Sequence, residues 1–107
     1  MTSESATVQQ LSNPTFTEKV NSRFEVHLQS GKSLDLMLTH VSDLKVSAGQ
    51  EQFSILFRGP VDAFLPQEMY KLMHESMGSF DLFFVPVGRN ENGFEYEAVF
   101  NRIHQSS

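Results

Sequence analysis

Two stretches near the end of the sequence decide the fold: Phe80-Asp81-Leu82-Phe83-Phe84-Val85 and, after Gly88-Arg89-Asn90-Glu91-Asn92-Gly93, Phe94-Glu95-Tyr96-Glu97-Ala98-Val99-Phe100. In the first stretch, large apolar side chains at positions 80, 82 and 84 share one face; in the second, positions 94, 96, 98 and 100 do. A period of two is typical of β-strands, whose successive side chains point to opposite faces. The six residues between them tolerate positive φ and favour a tight loop. Together they predict an antiparallel hairpin.

Four earlier segments show the same alternation, around residues 24–28, 34–38, 53–57 and 70–74. Turn residues separate them, including Ser30-Gly31-Lys32 and Gly59-Pro60. Val41 and Leu44 continue the second segment with broken parity, which predicts a β-bulge near residues 40–42. Residues 47–50 are interpreted as a loop.

Residues 67–75 also fit a helix, because they have good helix propensity and apolar residues at helical spacing. The strand interpretation is preferred, since it supplies a hairpin partner for the strand that follows. Six short strands without a long helical pattern predict an all-β fold: a small six-stranded antiparallel barrel or sandwich.

The sequence predicts one domain. Residues 1–13 are mostly polar and are interpreted as a mobile arm, residues 14–104 as a single β domain, and residues 105–107 as a frayed tail. Asn13 as N-cap and Pro14 at the first helical position predict a short helix over residues 14–20, with Phe16 and Val20 four apart.

Composition excludes several classes of function. The protein has 107 residues, no cysteine, and a formal net charge of −5 from 8 basic and 13 acidic residues. Disulfides, thiolate catalysis and cysteine-based metal sites are therefore absent, and the lack of a basic run argues against nucleic-acid binding. Neither a secretory signal nor an apolar run long enough for a membrane span is present, so we expect a cytoplasmic protein.

The polar residues suggest no catalytic site or cofactor. The four histidines, His27, His40, His74 and His104, have no metal-ligand spacing. Glu95 and Glu97 share a strand face at about 6.5–7 Å, a separation compatible with glycoside hydrolysis, but nothing else in the sequence supports that chemistry. We expect no enzymatic activity, no cofactor and no metal.

Three polar residues are expected to have structural roles. His74 has the parity of Tyr70 and Leu72, so it should point inward at a barrel end and need a hydrogen-bond partner. Arg58 and Glu97 lie among apolar neighbours and could form an ion pair. Alternatively, Arg58 bonds carbonyls of the 60–66 loop.

The second face of the fifth predicted strand is also apolar, since it carries Phe83 and Val85. Either the N-terminal helix or the loop containing Phe64 and Leu65 folds over this face, or another subunit or a partner protein covers it. Candidate partner-binding residues are Phe64, Leu65, Phe83 and Val85.

Four linked motifs carry a resemblance to a known family. They are Leu56-Phe57-Arg58-Gly59-Pro60; Gln67-x-x-Tyr70-x-Leu72-x-His74; Leu82-Phe83-Phe84-Val85-Pro86-Val87-Gly88; and Tyr96-Glu97-Ala98-Val99-Phe100-Asn101. Over roughly residues 16–101 the sequence resembles a bacterial family of small domains of unknown function. The resemblance implies no activity. The resemblance also implies an association with neighbouring proteins that carry phage-tail-collar-like domains, and with it a part in a fibre or surface assembly.

The sequence thus favours a non-enzymatic structural or protein-interaction module that binds a protein partner or itself. The alternative is a small barrel that binds an apolar ligand in a pocket lined by its 10 Phe and 2 Tyr residues. Six strands, however, leave little space inside a barrel.

Overall fold

A computed structural model of the protein describes residues 11–103. It contains one short helix and seven strands in the following order: α1 Asn13–Thr17, β1 Arg23–His27, β2 Ser33–Val41, β3 Lys45–Ser47, β4 Gln50–Gly59, β5 Glu68–His74, β6 Gly78–Asn90 and β7 Gly93–Ile103. The predicted tail and the first ten residues of the predicted arm lie outside the described residues.

The strands form one antiparallel sheet that closes on itself. Its order is β2-β1-β5-β6-β7-β4-β3, and a further pairing of β2 with β4 completes a six-stranded barrel. The predicted all-β class is confirmed, and the barrel is the correct alternative. Strand β3 is not among the six predicted strands; it pairs with the start of β4 outside the ring.

Two local predictions about the strands are confirmed. Residues 67–75 contain strand β5 rather than a helix, and β5 pairs in register with β6, with Leu72 opposite Phe80. The β2–β4 register shifts between Leu38 and His40, next to the predicted bulge. The β2–β4 pairing that closes the barrel begins before this shift, at Met37, and continues beyond it to Val41.

The core consists of the alternate side chains that point into the barrel. Phe84 illustrates the packing: its ring is fully buried, stacks on Tyr70 at 4.7 Å between centroids, and lies 5.3 Å from Tyr96. The other fully or almost fully buried core residues include Phe24, Val26, Leu36, Leu38, Phe53, Ile55, Phe57, Leu72, Phe80, Leu82 and Ala98.

Helix α1 closes one end of the barrel. It is capped by Ser12, whose Oγ accepts a hydrogen bond from the Thr15 backbone N–H; the predicted cap, Asn13, is inside the helix instead. Phe16 is fully buried, and its ring lies 5.4–6.4 Å from the rings of Phe24, Phe53, Phe80 and Phe100.

The packed part of the protein starts before Pro14. Leu11 is partly buried against the core, and the Asn13 side-chain amide donates to the Ser42 carbonyl at 2.8 Å. The polar composition of residues 11–13 had placed them in the arm. Their contacts are with residues distant in sequence, which local composition does not indicate.

The hairpin between β6 and β7 requires a glycine at the first residue of β7, Gly93. Gly93 has φ of 137°, and a β-carbon there would lie 2.0 Å from the Gly59 carbonyl oxygen. The close approach of β4 to β7 therefore excludes any side chain at this position.

We predict that two adjacent phenylalanines on β6 respond differently to truncation. Phe84→Ala removes a fully buried ring and should cost about 3–5 kcal/mol of the free energy of unfolding. Phe83→Ala, whose side chain is 48% exposed, should cost less than about 1 kcal/mol. Chemical denaturation of both variants measures this, and similar losses for the two would contradict the assigned orientation of β6.

Candidate functional site

The outer wall formed by β5, β6 and β7 carries a row of apolar side chains. Met69 lies directly opposite Phe83 in the β5–β6 register, and they are 60% and 48% exposed. Val85 follows on the same face of β6 and is partly buried. We call the surface formed by Met69, Met73, Phe83, Val85 and Val99 the Phe83 face; Met73 and Val99 are 41% and 56% exposed.

Charged residues flank this face. Lys71 and Asp81 face each other across β5 and β6, between the Met69–Phe83 and Met73–Ser79 pairs. Glu97 lies opposite Val85 on the other side. Lys71 and Asp81 are cross-strand neighbours of opposite sign, and Glu97 lines a surface cavity together with Lys45 and Val99, so charges of both signs border the face.

Within residues 11–103, neither predicted cover lies over the Phe83 face. Phe16 of α1 points into the end of the barrel, and Leu65 of the 60–66 loop is 3% exposed and belongs to the core. The expectation that one of these segments shields Phe83 and Val85 is therefore wrong. Both segments instead lie at the ends of the barrel, where Phe16 and Leu65 join the core.

The assignment of Leu65 as a partner-binding residue is likewise wrong. Its backbone N–H donates to the Tyr96 hydroxyl at 3.0 Å, and the Tyr70 hydroxyl donates to the Pro66 carbonyl at 2.6 Å. Two tyrosines thus hold the loop against the barrel. Burial, with a further contribution from Glu68, raises the pKa of Tyr70 to about 12, so this phenol stays protonated and keeps donating.

Phe64, the neighbouring candidate, does lie at the surface. It is 55% exposed, and its ring packs edge-on against Phe94 at 5.2 Å. The Arg89 guanidinium lies 5.5 Å from the centre of the Phe94 ring. Phe64 is thus available to a partner but belongs to a small separate cluster at the hairpin end.

Arg58 and Glu97 do not form the ion pair considered from the sequence. The β4–β7 register places Arg58 opposite Glu95, and Glu97 opposite Leu56. Among the described residues, ion pairs and side-chain hydrogen bonds involve neither Arg58 nor Glu97, so the alternative of bonds to 60–66 carbonyls is not found either. Arg58 and Glu97 are therefore offset by two residues in the β4–β7 register. The sequence alone does not show this offset.

His74 occupies the inward position predicted for it. It is 5% exposed, and its ring packs on Phe24 at 4.5 Å. Nδ1 accepts a hydrogen bond from the Ser76 backbone N–H at 3.1 Å, so the neutral ring carries its proton on Nε2, which donates to Ser22 Oγ at 2.9 Å. Ser22 Oγ donates in turn to the Lys19 carbonyl at 2.6 Å.

This network makes His74 a structural residue that joins β5 to the connection between α1 and β1. Both ring nitrogens are engaged, and protonation would place an N–H at Nδ1 against the Ser76 N–H. Burial and the nearby Lys19 charge lower the pKa of His74, with a smaller opposing effect of Glu75.

The remaining histidines of the described part of the protein lie apart from His74. No cluster of three His, Asp or Glu residues suited to a metal ion occurs there. His27, which could have met His74, lies opposite Lys71 and bonds to Glu25 at 3.2 Å. His104 lies outside the described residues.

One polar contact of consequence, at Arg102, was not anticipated from the sequence. Its Nε donates to Glu51 at 2.9 Å, its Nη2 donates to the Leu11 carbonyl at 2.6 Å, and its guanidinium lies 5.5 Å from the Phe100 ring centre. Arg102 continues the alternation of Tyr96, Ala98 and Phe100 on the inner face. Its position in this alternation indicates that the charged side chain points inward, where it needs hydrogen-bond or ion-pair partners.

We predict that His74 makes stability depend on pH. Because its pKa is lowered by folding, the unfolded state binds the proton more readily, so stability is full above about pH 6.5 and falls as the pH decreases below that value. Denaturation between pH 7.5 and 5.5 should show this decline, and His74→Gln should flatten it. The exposed His27→Gln variant is the control, and an unchanged slope in His74→Gln would contradict the assignment.

Comparison with known proteins identifies the family but no activity. A family model described as a domain of unknown function, DUF6916, matches residues 11–100. Neither a curated protein nor a solved structure matches the sequence. No helix in residues 11–103 is long and apolar enough to cross a membrane. The protein belongs to the DUF6916 family of domains of unknown function.

Proposed function

We propose that this domain is a non-enzymatic protein-interaction module and that the Phe83 face binds its partner protein. The observation that carries the proposal is the exposure of Met69, Phe83 and Val99 on the outside of a barrel whose interior is already packed. Aromatic residues and methionine are enriched where proteins contact each other, and exposed apolar patches on monomers often mark such contacts.

The shape and charge of the face define the partner. Met69 and Phe83 form a directly opposed pair on two neighbouring strands, which offers an apolar ridge rather than a cleft. Because charges of both signs border the face, its apolar centre selects the partner, which should carry an exposed apolar patch of its own. A second copy of the protein, with its own net charge of −5, is a less favourable partner.

The filled interior supports this proposal over a ligand-binding barrel. The positions that would line a ligand pocket are occupied by packed rings, such as Phe57, Phe84 and Tyr96. The cavities lie at the surface rather than inside the barrel and border charged groups: one of about 240 Å³ adjoins His74 and Glu25, and one of about 730 Å³ adjoins Arg23 and Arg58. A place in a bacterial fibre or phage-tail-like assembly is the setting that the sequence resemblance suggests for such a module.

We predict that Met69→Ser/Phe83→Ser loses partner binding without losing the fold. A central aromatic contact is worth about 2 kcal/mol or more, which corresponds to a roughly 30-fold weaker Kd. The measurement is quantitative pull-down from the native host, identification of the partner by mass spectrometry, and titration of the purified pair. Analytical ultracentrifugation of the domain alone tests self-association.

Val46→Ser is the matched control, because Val46 is 51% exposed but lies on β3, away from the Phe83 face. Phe64→Ser tests the separate cluster. A folded double variant that binds the partner as tightly as the original protein would overturn the proposal for this face.

A further inference from the structure

Half of strand β2 lacks a neighbour on one side. Residues Met37 to Val41 pair with β4, whereas Ser33 to Leu36 pair with β1 alone. Continuing the β4 register would place Pro60 opposite Asp35, but β4 ends at Gly59. Proline has no N–H to donate to a sheet, so the backbone turns away there and leaves the β2 edge open.

The hydrogen-bond pattern shows which backbone groups face this edge. The Leu28 N–H donates to the Lys32 carbonyl and the Leu38 N–H donates to the Ser22 carbonyl, at opposite ends of the β1–β2 ladder. In an antiparallel ladder, residue pairs that exchange backbone hydrogen bonds alternate with pairs that do not. Both observed bonds join even-numbered residues that are opposite each other, so the even-numbered residues of β2 are the ones that bond to β1. Ser33 and Asp35 therefore direct their N–H and C=O groups outward, and no strand of residues 11–103 pairs with them there.

A groove of about 730 Å³ runs along this edge. Leu34, Met37 and Pro60 supply apolar surface to it, and Arg23 and Arg58 contribute guanidinium groups. Its lining lies on β1, β2 and β4, whereas the Phe83 face lies on β5 to β7, and the two surfaces meet where Glu25 is opposite Met73. Their centres, Arg58 on β4 and Phe83 on β6, are on strands that do not pair with each other, so both can be occupied at the same time.

Of the charged residues that line this groove, Arg58 is the one that forms no ion pair or side-chain hydrogen bond within residues 11–103. Arg23 pairs with Asp35 at 3.3 Å, and Glu25 is bound by His27 and by Ser33 Oγ, each at 3.2 Å. Among the described residues no carboxylate oxygen lies within 4.0 Å of a nitrogen of Arg58, although Glu95 is its register neighbour. The Arg58 side chain is exposed at the point where β4 leaves β2.

We propose that this groove is a second binding site, which takes an extended peptide as an added strand on β2 and holds a carboxylate of that peptide on Arg58. The peptide bonds to the N–H and C=O groups of Ser33 and Asp35, the mode known as β-augmentation. Its carboxylate, from an acidic residue or from the peptide's own C-terminus, forms a charge-assisted hydrogen bond with the guanidinium. With the Phe83 face on the other wall, the domain would join two partners.

The test begins with selection of a displayed library of random nine-residue peptides on the immobilised full-length protein. Selected peptides are synthesised, and their Kd is measured by fluorescence anisotropy with the original protein and with variants. Arg58→Gln removes the charge. Ser33→Pro removes one free N–H without breaking the β1–β2 ladder, since that N–H points away from β1. Val46→Ser is the control, and circular dichroism checks that each variant is folded.

We expect peptides rich in Asp or Glu, a Kd at least ten-fold weaker with Arg58→Gln and with Ser33→Pro, and no change with Val46→Ser. Binding should shift the amide NMR signals of Ser33 and Asp35. Amidated peptides and peptides with Asn or Gln replacing the acid identify which carboxylate is bound. A library without enrichment, or peptides that bind Ser33→Pro and Arg58→Gln as tightly as the original protein, would overturn this proposal. The Phe83 face takes no part in these measurements, so its own test stands or fails separately.

Discussion

The packing of four phenylalanine rings around Phe16 holds one end of the barrel closed. Helix α1 has only five residues, too few to be stable alone in water, so its position depends on burying this single ring. Arg102 reinforces the arrangement by binding both Glu51 and the Leu11 carbonyl. Without Phe16, the four rings on β1, β4, β6 and β7 would lose the one aromatic side chain that contacts all of them.

Closure at the other end follows the same principle. Leu65 enters the core, and the hydroxyls of Tyr70 and Tyr96 bind the loop backbone on either side of it. With both ends sealed and the interior packed, the apolar residues that remain are on the outer wall. The proposed function is therefore placed on surfaces of the barrel, in keeping with how little space a six-stranded barrel encloses.

Much of the fold could be predicted from the alternation of side chains, because a strand with one buried face must repeat every two residues. That rule correctly placed Phe84 and His74 inside and Phe83 outside. It could not reveal β3, since Lys45–Ser47 contains one apolar residue and no alternation. It also could not show that α1 and the 60–66 loop fill the barrel ends, because Phe16 and Leu65 are single residues whose neighbours are distant in sequence.

The candidate site was predictable only in part for the same reason. Alternation identified the Phe83 face, but what covers it depends on tertiary packing. The separation of Arg58 from Glu97 and the open edge of β2 depend on which residues are opposite each other, whereas alternation within one strand shows only which face each residue occupies. Arg102 was an exception. Alternation in the sequence indicated that its side chain points inward, although it did not identify the groups that the side chain binds.

Hydroxyl-radical footprinting of the free protein, read residue by residue by mass spectrometry, tests the central claim most directly. We expect rapid oxidation of Met69 and Phe83 and strong protection of Phe16 and Phe84, at protein concentrations low enough to prevent self-association. Protection of Phe83 under those conditions, or oxidation of Phe84 at a similar rate, would contradict a packed barrel that presents its apolar binding surface on the outer wall.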